Sequence, residues 1–77
     1  MNTPTNPITE ERIAALFIHE KIAETVKDGV ISVFRSEQSK TDKPYYVVHA
    51  DCAPRVKGAQ GAYSPKTAMR LVRYFRK

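Results

Sequence analysis

Ser64-Pro65-Lys66-Thr67-Ala68-Met69-Arg70-Leu71-Val72-Arg73-Tyr74-Phe75-Arg76-Lys77, residues 64–77, reads as a basic amphipathic helix, and the rest of the chain is organised around it. Ser64 is a good N-cap, because its hydroxyl can accept from an unpaired N–H of the first turn, and Pro65 suits the first helical position. Ala68, Leu71, Val72 and Phe75 recur at i, i+3, i+4 and i+7, which gives one apolar stripe. Lys66, Arg70, Arg73 and Lys77 follow the same period on the other side, and the segment holds no acid. Cations in a last turn complement the helix macrodipole, but Lys66 sits at the opposite end. The like-charged pairs Lys66/Arg70, Arg70/Arg73 and Arg73/Lys77 each cost roughly 0.2–0.5 kcal/mol. A row that works against its own helix predicts an acidic partner.

Upstream of this helix, residues 51–63 carry Pro54, Gly58 and Gly61 and a weakened pattern. A short third strand near residues 55–57, or near Ala62, stays open. Gly58-Ala59-Gln60-Gly61 lacks the spacing of a phosphate-binding loop and reads as a turn. Residues 30–35 and 45–50 are β-branched and aromatic, and predict two strands. The polar stretch 36–42 between them is too long for a two-residue turn, so an antiparallel hairpin with a loop is expected. Ile31 and Val33 share one face of it, Val30 and Phe34 the other. Tyr45 and Tyr46 also divide, so one tyrosine meets the core and one is open to a ligand.

Residues 10–28 predict a first helix. Thr9 caps it, Ile8 and Ile13 form a hydrophobic staple, and Gly29 stops it. Its apolar stripe is Ala15, Leu16, Ile22, Ala23 and Val26. Ile13 and Phe17 lie off that stripe. Either they pack inside or they form a protein interface, and packing is the expectation for large apolar residues in a small domain. Residues 1–7 read as a flexible arm and residues 8–77 as a single compact domain. The predicted fold class is α+β: helix, antiparallel hairpin or three-stranded sheet, helix.

With 77 residues, 42% hydrophobic and 27% charged, the chain is globular with a small core. The net charge of +5 hides a polarity. Residues 1–51 carry six Lys/Arg and all eight Asp/Glu, whereas residues 52–77 carry seven Lys/Arg and no acid. Such a molecule should present its C-terminal third to a polyanion. The single Cys52 excludes an internal disulfide and fits a cytoplasmic location. The sequence has no run long enough for a transmembrane helix and no signal-peptide pattern, so no membrane association is expected.

Catalytic chemistry finds little support. His49, Asp51 and Cys52 form one loose cluster, whereas structural zinc sites use two paired ones, so no metal is expected. Cys52 reads as a small buried thiol. With no carboxylate pair set for acid–base work, the chain is expected not to be an enzyme, and to use no cofactor and no small-molecule substrate. Residues 61–68 resemble the opening of the last helix in double-stranded-RNA-binding domains, which show a Gly and then Ser-Lys-Lys-x-Ala-Lys. Here Pro65 replaces the first lysine, Met69 the last, and one extra residue separates Gly61 from Ser64. The likeness covers eight residues and brings no role to any of them. The expected function is a nucleic-acid-binding module. Its candidate residues are Arg35, Lys40 and Lys43 on the hairpin, Arg55 and Lys57 after it, and Lys66, Arg70, Arg73 and Lys77 on the last helix. The alternative is a small regulatory or inhibitory protein, of the kind phages and other mobile elements encode, that binds an acidic or nucleic-acid-binding surface of a larger enzyme.

Overall fold

The computed structural model, which describes residues 7–37 and 43–76, places six elements in order. They are α1 (Glu10–Ala14), β1 (Lys21–Val26), β2 (Gly29–Ser36), β3 (Tyr45–Cys52), β4 (Val56–Ala62) and α2 (Pro65–Arg76). The strands form one antiparallel sheet in the order β1-β2-β3-β4, and α2 packs across one of its faces with α1 beside it. The class is α+β, as the sequence predicts, with four strands rather than two or three.

α2 forms as its sequence dictates. The Ser64 hydroxyl accepts from the Thr67 N–H at 3.1 Å, and Pro65 opens the helix. Its buried residues are Ala68, Met69, Val72 and Phe75. Leu71 is half-buried, so the apolar stripe is turned slightly toward Met69. The hairpin also holds. Val33 pairs with Val48 and Ile31 with Ala50, and these four point inward together with Tyr46. Tyr46 is therefore the core tyrosine, and Tyr45 takes the opposite face.

Residues 10–28 depart from expectation. Thr9 caps α1 through its hydroxyl, and Ile13 is fully buried, but the helix ends at Ala14. Residues 17–20 then make a turn in which the Glu20 N–H donates to the Phe17 carbonyl at 2.9 Å, with His19 at φ 72°. Beyond it the chain is strand. Ile22, Glu24 and Val26 alternate inward against β2, so strand pairing replaces three helical turns. Gly29 is not a helix stop. It opens β2, and a Cβ there would overlap the Asp51 carbonyl, so the close approach of β3 requires glycine. The stretch read as a glycine turn is β4, paired with β3 over its whole length.

Two buried arrangements fasten the layers. The Arg76 guanidinium grips the Glu24 carboxylate with Nε at 2.8 Å and a second bond from its terminal nitrogen, which also donates to the Ile8 carbonyl at 2.9 Å. The Ile8 N–H donates to Glu24 at 2.8 Å. These bonds from Arg76, and secondarily from Ile8, hold the Glu24 carboxyl below its ordinary 4.5 against the opposing effect of burial. The chain before α1, the edge strand β1 and the end of α2 thus meet at one carboxylate.

Candidate nucleic-acid interface

The cations named by the sequence divide into two groups in space. Arg35 lies on β2 with its guanidinium over the Tyr46 ring at 5.9 Å, and it donates to the Leu16 carbonyl at 2.8 Å. Arg55, in the β3–β4 turn, forms a fork on Asp28 at 2.6 and 3.0 Å and donates to the Phe75 carbonyl at 2.7 Å. Those hydrogen bonds hold the Asp28 carboxyl below its ordinary 3.8. Both arginines therefore join elements of the fold. Arg76, which the sequence offers only as a macrodipole cation, does the same.

The second group is open. Lys66, Arg70 and Arg73 stand exposed on the solvent side of α2, with Tyr74 exposed beside Arg70 one turn on. None of the three enters an ion pair among the described residues. Lys57 is exposed on β4 and Lys43 at the entry to β3, so neither joins the α2 row in one patch. Lys40 and Lys77 lie outside the described residues.

The two layers also separate helix from hairpin. α2 covers the face of Ile31, Val33, Tyr46 and Val48, and its cations point away from the sheet. Tyr45 projects from the opposite face. One flat ligand cannot lie on both. The expected single site, helix plus hairpin, is therefore two surfaces.

Ile13 belongs to the core and not to an interface. Phe17 is the reverse: it is 75% exposed, with Ile18 next to it at 54%. The expectation that Phe17 packs inside fails because the chain turns there instead of continuing as helix. The turn is firmly tied. The Phe17 N–H donates to the Glu20 carboxylate at 3.0 Å, and the His19 N–H donates to the Arg35 carbonyl at 2.7 Å.

On the uncovered side of the sheet, Tyr45 and Tyr63 meet with ring centroids 5.1 Å apart, and His19 stacks on Phe34 at 6.3 Å. Tyr63 and Phe34 are not among the residues the sequence singles out. The signal for Tyr63 was the alternation Lys57, Ala59, Gly61, Tyr63, legible only once β4 is a strand. Elsewhere, Lys27, Asp28, Arg55 and Arg76 line a shallow cleft whose two arginines are already bonded. Cys52 is buried with its thiol 3.9 Å from the Val30 carbonyl, while His49 and Asp51 are exposed on the other face. No group of three or more His, Cys, Asp or Glu placed to hold a metal occurs among the described residues. No helix among them is long and apolar enough to cross a membrane. Comparison with protein-family models, with curated proteins and with solved structures finds no match.

Proposed function

We propose that this protein is a small non-enzymatic binding module that docks the exposed face of α2 on a nucleic-acid backbone. One observation carries the reading. The chain uses Arg35, Arg55 and Arg76 to join its own elements, yet leaves Lys66, Arg70 and Arg73 in a row at helical spacing with no acid on the helix. Such a row raises the local potential and suits successive phosphates. With three phosphates neutralised, binding to duplex should fall with a log–log salt slope of about −3. The double variant Lys66→Glu/Arg70→Glu should bind far more weakly while melting at or above the wild-type temperature. A carboxylate at position 66 suits the helix N-terminus, and the like-charge contacts disappear. A gel shift in a salt series, beside a thermal melt, reads both. Unchanged affinity in the double variant would remove nucleic acid from this role.

A second reading rests on the apolar turn. Phe17 and Ile18 project on a tied backbone, a feature that a polyanion does not use and that a protein target does. In that reading the module is a regulatory or inhibitory protein, of the phage type, and α2 steers it to an acidic surface. Because Phe17 is largely exposed, Phe17→Ala is expected to shift stability by no more than about 0.5 kcal/mol. If it also leaves salt-dependent nucleic-acid binding intact, the helix reading stands. If nucleic acid does not bind and Phe17→Ala alone releases a protein target held by the wild type, the inhibitor reading replaces it.

A further inference from the structure

The sheet face that the helices leave uncovered bears aromatic rings at strand spacing, and its other positions are small. Val47 pairs with Phe34 on one side and with Gly61 on the other, which makes one row across three strands. Tyr45 lies in the adjacent row, with its ring down against Gly61, where any Cβ would strike the ring. Tyr63 leans on Tyr45 and stays 54% exposed.

We propose that this outer face is a stacking platform for the unpaired bases of a single-stranded nucleic acid. Every base has a π-face, and aromatic side chains on an open sheet bind bases by stacking while nearby cations follow the backbone. The charges agree. Lys21 pairs with Phe34 across β1 and β2, and Lys57 stands at the other edge, against Asp51 as the acid on this face among the described strand positions. The relief agrees too. Glycine at 61 and alanine at 59 keep the surface flat beside the rings, which suits a planar ligand better than the pocketed surface a protein anchor needs. This reading shares only its class of ligand with the helix reading, because α2 lies on the other side of the sheet.

The test is fluorescence anisotropy with three labelled probes: an oligothymidylate of about 15 nucleotides, near the upper end of such site sizes, an abasic strand of equal length, and a blunt duplex. Tyr63→Ala is expected to bind the oligothymidylate roughly 5- to 100-fold more weakly, the range that loss of one stacking ring produces. Tyr63→Phe should restore it, the abasic strand should bind weakly to all variants, and duplex affinity should not follow Tyr63. Equal oligothymidylate binding by Tyr63→Ala and wild type overturns the platform, as does an abasic strand bound as tightly as the thymidylate. In either case, a loss of duplex binding in Lys66→Glu/Arg70→Glu leaves the helix reading standing. Full thymidylate affinity in that charge-reversed variant, together with loss in Tyr63→Ala, leaves the platform without the helix. Sedimentation showing a dimer that Tyr63→Ala dissolves would also overturn the platform, since a second copy would then occupy the face.

Discussion

Arg76→Ala should cost about 3–5 kcal/mol, the usual consequence of leaving a buried charge without its partner. Glu24 is 7% exposed and accepts from both Arg76 and the Ile8 N–H. Without the guanidinium, the carboxylate stays buried and charged, and the Ile8 carbonyl loses its donor as well. A core of this size supplies roughly 3–5 kcal/mol in all, so the variant should be unfolded or nearly so at room temperature. Replacing both partners by apolar residues, Glu24→Leu with Arg76→Met, should recover much of the loss, because two desolvation costs vanish together. The recovery stays incomplete, since the Ile8 N–H and C=O remain unpaired.

The same pair sets an acid limit. Arg76 lowers the folded-state value of Glu24 below its ordinary 4.5. Its stabilisation is therefore present above the unfolded value and is lost as pH falls through the lower folded one. Wild type should hold its melting temperature from neutrality to about pH 5 and lose it below, near the carboxylate range. In Arg76→Ala, burial alone acts on Glu24 and raises its value, so protonation relieves that variant. The gap between the two melting curves should narrow as the solution is acidified below the carboxylate range. A gap independent of pH would mean that Glu24 is solvated in the folded state, and the network would lose its structural meaning.

How far these features can be read from sequence depends on whether a local window contains the deciding contact. α2 is legible because its cap, its first-turn proline and its stripe all lie within fourteen residues. β2 and β3 are legible because β-branched and aromatic residues alternate within each. Residues 21–28 satisfy two periods at once: Ile22 and Val26 are one helical turn apart and also two strand steps apart. Pairing with β2 decides the matter, and no helical window contains β2. A local clue existed in Asp28-Gly29 between two β-branched runs, which is a hairpin signal as well as a helix stop.

The cations show the same limit. Nothing local distinguishes Arg55, whose partner Asp28 is 27 residues away, from Arg70, which has none among the ion pairs described. Charge asymmetry finds the basic third of the chain, but the fold decides which of its cations remain available. Likewise, the tyrosine pair Tyr45/Tyr46 is legible as one inward and one outward residue. The partner of the outward ring, Tyr63, becomes visible only through the register of β4.

Phe75→Ala should cost about 3–5 kcal/mol, near the top of the range for large-to-small changes in a core. The ring is 3% exposed and belongs to the same buried cluster as Ile8, Ile13 and Leu16. It stands in the final turn of α2, where its own carbonyl accepts from Arg55 and the next residue is Arg76. Loss of the ring would open a cavity and loosen the helix end that positions both arginines, so the two terms should act together. Leu71→Ala, at a half-buried site on the same helix, should cost clearly less. Phe75→Leu keeps most of the volume and should remain folded, at a loss of roughly 1–2 kcal/mol. Urea unfolding followed by circular dichroism, with an osmolyte present to hold the weakest variant folded, ranks the three. If Phe75→Ala melts with wild type, α2 does not owe its position to this packing, and its cationic face would be free to move when a ligand binds.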